Sequence, residues 1–208
     1  MNLTLILLVV ILVFLILNYK EINAQNSNKE KIDLCCTWGS ELKDGVLTYN
    51  IKKGSNNNDL ERIVDLAFSE WKKSLNNIQF KNVKDAAANI EIKFKKKGNY
   101  NQEGGKAAIY FNDKGFIYHV EISVSKTSNG TALNQIMLEI ITKHEIGHAL
   151  GLGHSQFPRS IMYPVVNEVV AKISKCETDA VKDANNWKFV KNDKKPKVLE
   201  QSVYICTQ

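Results

Sequence analysis

The sequence predicts a single mixed α/β domain with three helices, and three observations predict it. Strand-like alternation and helix-like periodicity interleave along the chain and do not segregate into separate blocks. The 208 residues, 44% hydrophobic and 24% charged, suffice for one well-cored domain with little left for a second. No internal repeat and no long low-complexity run divides the chain.

Taken in order, Leu47-Thr48-Tyr49-Asn50-Ile51 alternates as a strand does. Gly54-Ser55-Asn56-Asn57-Asn58 reads as a turn, and Asn58 or Asp59 can cap a helix starting there. Leu60, Ile63, Val64, Ala67, Phe68, Trp71 and Leu75 then recur at helical spacing. Core packing accounts for the Trp and Phe among them. Two short strands are expected at 78–83 and 89–94, the second with Ile90, Ile92 and Phe94 on one face. Beyond a Gly/Asn-rich loop at 98–105, residues 107–111 and 116–124 flank Asn112-Asp113-Lys114-Gly115, a hairpin signal. A second helix is expected from near Thr131, with Leu133, Ile136, Met137, Ile140 and Ile141 on its inward face. A third starts at Ser174, where Ser174-Lys175-Cys176-Glu177 reads as a capping box. Ala180, Val181, Ala184 and Trp187 form its buried stripe.

The first residues stand apart from the fold. Residues 3–17 are apolar except for Thr4. A run of about 15 fits the core of a secretory signal better than a membrane span, which needs about 20. Ile22-Asn23-Ala24 offers a cleavage site, although no Lys or Arg precedes the run. Residues 1–24 are therefore expected to be a signal peptide or, failing that, a retained anchor. Residues 25–33 are expected to be a polar leader, 34–192 the main domain, and 193–208 a tail tied back by a disulfide. Either reading puts the domain outside the cytoplasm, secreted or membrane-anchored. Cys35, Cys36, Cys176 and Cys206 fit that compartment, being even in number and all beyond the cleavage site. Adjacent Cα atoms lie about 3.8 Å apart, below the usual disulfide range, so Cys35 and Cys36 are each expected to bond Cys176 or Cys206. The net charge of +6 is too mild for a nucleic-acid stripe, and the lysine-rich stretches 93–97 and 188–197 read as solvated faces.

The second helix ends in His144-Glu145-Ile146-Gly147-His148-Ala149-Leu150-Gly151-Leu152-Gly153-His154. His144 and His148 are four apart, so both leave one helical face and can grip one zinc ion at about 2.0–2.1 Å. Gly151 can leave the helix through a left-handed turn, letting His154 fold back as a third ligand. Three protein ligands leave one position for water, the arrangement of a catalytic zinc. Glu145, beside His144 but not needed as a ligand, is placed to take a proton from that water. Three of the four histidines in the chain belong to this motif, which weighs against three unrelated core histidines.

From 144 to 164 the sequence resembles the metzincins, and the matrixins among them. The histidine spacing matches their long zinc-binding consensus. Ser160-Ile161-Met162-Tyr163-Pro164 resembles the Met-turn, with Met162 eight residues after His154 and Ser155 directly after that histidine. A weaker likeness extends over roughly 33–190. It implies a mostly parallel twisted sheet with three helices, a long zinc-binding helix and the Met-turn. It also implies a zinc endopeptidase, taking one catalytic zinc, acting on protein or peptide substrates, and monomeric. No nucleic-acid partner is implied, and no stable membrane partner unless the N-terminal segment is retained. The edge strand resembling 104–111 would bind peptide through Ala107 and Ala108, and Pro164, Val165 and Val166 would line the pocket beyond the scissile bond. The cysteine-switch segment has no counterpart. The family's second zinc is not expected, since only His119 remains for it, near Glu121. Calcium loops are not evident. The competing reading is a zinc-binding recognition module without catalysis, and retention of Glu145 argues against it.

Overall fold

The computed structural model describes residues 29–52, 58–84, 87–96, 104–166, 172–189, 196–199 and 201–206. The signal-or-anchor segment 1–24 lies outside them. The elements run β1 (Lys31–Leu34), a 3-10 turn (Ser40–Leu42), β2 (Val46–Ile51), α1 (Asn58–Leu75), β3 (Gln79–Asn82), β4 (Ile90–Lys95), β5 (Gly105–Phe111) and β6 (Ile117–Ser125). Next come β7 (Thr127–Ser128), β8 (Thr131–Ala132), α2 (Gln135–Ala149), β9 (Leu152–Ser155), α3 (Lys175–Ala184), α4 (Asn186–Phe189) and β10 (Ser202–Ile205).

Alternation builds the main sheet. β4 buries Ile90, Ile92 and Phe94, and β6 buries Val120, Ile122 and Val124, so both present one apolar face to the helices. The five strands lie in the order β3-β2-β4-β6-β5. The first four are parallel, and β5 runs antiparallel to β6, as hairpin-linked strands must. That leaves β5 as an edge with one neighbour among the described residues.

α1 buries Leu60, Ile63, Val64, Ala67, Phe68, Trp71 and Leu75, the residues its periodicity selects. Asp59 and Glu61 in its first turn and Lys72 and Lys73 in its last complement the helix dipole. It ends where Asn76 takes φ 56°, a left-handed exit asparagine tolerates. Phe68 stacks on Tyr49 with ring centroids 3.9 Å apart, seating the helix on β2. Trp71 donates from Nε1 to the Lys143 carbonyl at 3.0 Å and so ties α1 to α2.

α2 differs from its sequence expectation in two ways. It starts at Asn134, whose side chain accepts from the Met137 N–H at 2.8 Å, and not near Thr131. Thr131 belongs to a small hairpin whose corner is Asn129-Gly130, with φ 50° and 81°. Asn-Gly in this conformation is the two-residue hairpin signal that competes with helix initiation. Nor is α2 apolar on one face only. Residues 140–147 are all buried, while Ile136, assigned to the inward face, is 56% exposed. The helix runs through the middle of the molecule, so periodicity cannot select a side.

The expected leader is described from residue 29 onward. Its last residues join β1, which pairs with β10 on one side and with β9 on the other, both antiparallel. This three-stranded sheet explains why the predicted disulfide pairing fails. Cys36 and Cys35 are bonded to one another, and Cys176 is bonded to Cys206. In the β1–β10 register Lys31 faces Ile205, and the Cys206 N–H donates to the Glu30 carbonyl at 2.9 Å. Cys35 is five residues further along, about 16 Å away at strand rise, beyond the roughly 7 Å a disulfide spans. Cys176, at the start of α3, has its Cα 5.3 Å from that of Cys206 and links that cysteine to the helix.

A non-reducing digest should therefore give one peptide pair joining Cys176 to Cys206. A cross-link from Cys35 or Cys36 to either would contradict this strand register. Replacing Cys176 and Cys206 together by serine should lower unfolding free energy by about 2–4 kcal/mol.

Candidate active site and metal centre

The site forms where α2 ends under the edge of the sheet. His144 and His148 project from one side of the helix, one turn apart, with ring centroids at 4.7 Å. After α2 the chain turns at Gly151, φ 99°, where a Cβ would overlap the Cys36 carbonyl. That positive φ is the left-handed exit expected of this glycine. β9 then returns His154 to the pair, with centroids 5.5 Å from His144 and 4.9 Å from His148. The ligand-type atoms of the three rings all lie within 4.8 Å of one another.

The hydrogen bonds decide the tautomers. His144 Nδ1 lies 2.7 Å from the Ile161 carbonyl, and His148 Nδ1 lies 2.8 Å from the Leu152 carbonyl. A carbonyl only accepts, so each Nδ1 carries the proton and each Nε2 presents a lone pair. Those two Nε2 atoms stand 3.0 Å apart. Protonation does not relieve the crowding. Burial, assisted by His148, pushes His144 down to about 3, and burial, with His154 adding, pushes His148 down to about 4. Converging neutral imidazole lone pairs with their other nitrogens fixed by carbonyls are the donor set of a zinc ion, so the residues fit the metal.

Met162 is fully buried against α2, the helix that carries this pair. Its sulfur packs on Gly147, where a side chain would collide with it. The Met162 carbonyl accepts from the Ser155 N–H at 2.9 Å, which ties the turn to the residue after His154. The turn is held from behind by Glu177, also fully buried. Its Oε1 accepts from Ser160 Oγ at 2.7 Å and from the Ile161 N–H at 3.0 Å. Its Oε2 completes the capping box with Ser174. The sequence showed Glu177 only as a cap. Its link to the segment that orients His144 spans 16 residues and leaves no local signal.

Glu145 is 4% exposed and faces the same cleft, about 680 Å³ in volume. Ala107, Pro164, Val165 and Val166 line that cleft, together with Ile141 and Met137. Ala108 pairs with Glu121 on β6 and is not among the lining residues. Cys35, expected to form a disulfide, also lines the cleft. Gly104 and Gly105 let α2 approach the edge strand. A Cβ on Gly105 would lie 2.7 Å from Glu145 Cγ and 2.8 Å from its Cδ. Gly105→Ala should therefore displace the carboxylate. Misplacement of about 1 Å can cost about 10²-fold, so kcat should fall toward that extent with zinc content unchanged. Wild-type kcat in this variant would show that Glu145 does not depend on the glycine.

A second cluster, Glu91, His119 and Glu121, brings ligand-type atoms within 4.8 Å. Lys52 already pairs with Glu91 at 2.7 Å and Lys93 with Glu121 at 3.1 Å, and His119 Nδ1 is taken by the Ala88 carbonyl. Lys93 holds the Glu121 carboxyl below the usual carboxylate range. The outer face of the sheet is knitted by ion pairs.

A zinc-type histidine triad on a helix broken at glycine and backed by a methionine turn defines a metzincin-type metallopeptidase domain. The matrixin family model matches residues 37–186, and the chain belongs to that family. It is 27% identical over 137 residues to matrix metalloproteinase-20 of Homo sapiens, covering 59% of this chain and 27% of that protein. It is 28% identical over 123 residues to metalloendoproteinase 1 of Glycine max, covering 54% and 40%. With the macrophage metalloelastase of Oryctolagus cuniculus it shares 30% identity over 131 residues, covering 57% and 27%. The matched stretch is thus between about a quarter and two fifths of each relative. The family is zinc-dependent and acts on proteins.

Proposed function

We propose that this protein is a secreted zinc-dependent endopeptidase in which Glu145 is the general base. One observation carries the reading: two fixed imidazole lone pairs converge beside a buried carboxylate, in a cleft bordered by the free edge of a strand. His144, His148 and His154 would hold the metal through their free ring nitrogens. When bound, zinc supplies a Lewis acid that acidifies water and polarises the scissile carbonyl. Glu145 accepts the proton of the attacking water and delivers it to the leaving amine.

Substrate would lie extended along β5, hydrogen-bonded to backbone near Ala107 and Ala108 as one further antiparallel strand. Its side chain beyond the scissile bond would enter the apolar wall of Pro164, Val165 and Val166. Secretion rests on the apolar N-terminal segment. No helix among the described residues is long and apolar enough to cross a membrane.

Purified residues 25–208 should cleave members of a peptide library and lose that activity to a chelator, with recovery on adding back zinc. The protein should carry about one zinc per chain. Zinc binding without hydrolysis of any peptide would favour a recognition module. Two zinc ions surviving dialysis would contradict the ion-paired outer face.

A further inference from the structure

Three consecutive carbonyls at the end of α2 have no helical partner, because the helix stops there. All three are met from distant parts of the chain. The Ala149 carbonyl accepts from Trp38 Nε1 at 2.8 Å. The Leu150 carbonyl accepts from Asn185 Nδ2 at 2.9 Å. The Gly151 carbonyl accepts from the Cys35 N–H at 3.0 Å. The next carbonyl, of Leu152, is the one that fixes His148, and two residues later stands His154. The exit turn therefore aims one ligand and carries another.

Asn185 is the hub of this arrangement. It is fully buried at the C-terminal cap of α3. Its Oδ1 accepts from the Trp38 N–H at 3.0 Å and from Thr37 Oγ1 at 3.2 Å. Its second Nδ2 hydrogen goes to the Val181 carbonyl at 3.1 Å. An amide offers two donors and two acceptor sites, and all four are used. One side chain thus joins the N-terminal segment, α3 and the end of the metal-binding helix. Trp187 adds a bond from Nε1 to the Trp38 carbonyl at 3.0 Å, holding Trp38 from the other side.

We propose that Asn185 is a positioning residue of the metal centre, holding through Leu150 the turn that aims His148 and delivers His154. The inference rests on the reading of the three histidines as zinc ligands, and not on catalysis. Without Asn185 the Leu150 carbonyl loses its partner in a dry site and the turn shifts to find another. Residues that orient a metal ligand are typically worth about 10–100-fold in metal affinity.

The test is the zinc dissociation constant of the purified protein, measured by competition with a chromogenic chelator at a temperature where every variant is folded by near-ultraviolet circular dichroism. Asn185→Ala should raise it by about 10–100-fold. Trp38→Phe, which keeps the bulk and removes the donor to Ala149, should raise it in the same direction. Tyr49→Phe removes the bond to Asp65 on the α1 side and should lower the melting temperature while leaving zinc affinity unchanged. A folded Asn185→Ala protein with wild-type affinity would overturn the proposal. If Asn185→Ala does not fold, unchanged affinity in Trp38→Phe overturns it and weakened affinity supports it. Weakened affinity in a protein whose wild type cleaves no peptide supports the positioning role and sinks only the peptidase reading. A wild type that binds no zinc overturns both.

Discussion

Glu145→Ala should reduce peptide hydrolysis by at least about 10²–10⁴-fold, the usual contribution of a positioned acid–base group, and leave bound zinc nearly unchanged. The two effects separate because of where the side chain stands. His144, His148 and His154 would supply the ligand atoms, which lie within 4.8 Å of one another, and Glu145 is not in that group. It lines the cleft beside them, pressed against Gly105 of the edge strand. Truncation to alanine removes the proposed proton carrier and relieves that contact, with little reason for the fold to change. Alanine also has the best helix propensity, so α2 loses nothing locally. Cleavage rate and zinc content should be measured on the same preparation. Near wild-type cleavage with zinc in place would show that another group moves the proton.

His148→Ala should act through the metal itself. Zinc affinity should fall by more than the roughly 10–100-fold typical of losing a residue that only orients a ligand. Only two imidazoles then remain. One of them, His154, is on an exposed strand position and depends on the exit turn for its place. Cleavage should disappear with the zinc and return only partly at high zinc concentration, since the affinity and not the base has been removed. The fold should persist, because His148 is half-buried at the cleft and its Leu152 carbonyl partner can turn to water. Zinc retained after dialysis at the wild-type level would mean that the ligand set has been misread. The pair of variants separates binding from chemistry: one should hold metal without turning over substrate, the other should fail to hold it.

The local chemistry of the site was legible from the chain because it depends on spacing. Residues four apart share a helix face, a glycine can end a helix, and alternating Ile90, Ile92 and Phe94 face one side of a sheet. Each rule acts over a few residues, and the structure agrees with each. The capping box at Ser174 was read from the same kind of pattern. Where a local pattern misled, a competing local or global influence was at work. Asn129-Gly130 formed a hairpin where a helix start was expected, and burial on all sides removed the meaning of a stripe on α2.

Long-range packing governs the rest. β1 and β10 are four residues each, too short for periodicity to declare them, and they form because distant segments pair, β10 with β1 and β1 also with β9. Their register then sets the disulfides, which no count of cysteines could assign. Asn185 sits 35 residues from Leu150 and 147 from Trp38, and Glu177 lies behind the methionine turn. A buried amide or carboxylate acquires its role from whatever the fold brings against it. Spacing along the chain was enough to pick out three histidines that the fold brings together and a carboxylate that lines the same cleft. The folded chain established what keeps them in place, because such support comes from long-range contacts whose partners carry no mark of one another in the linear order.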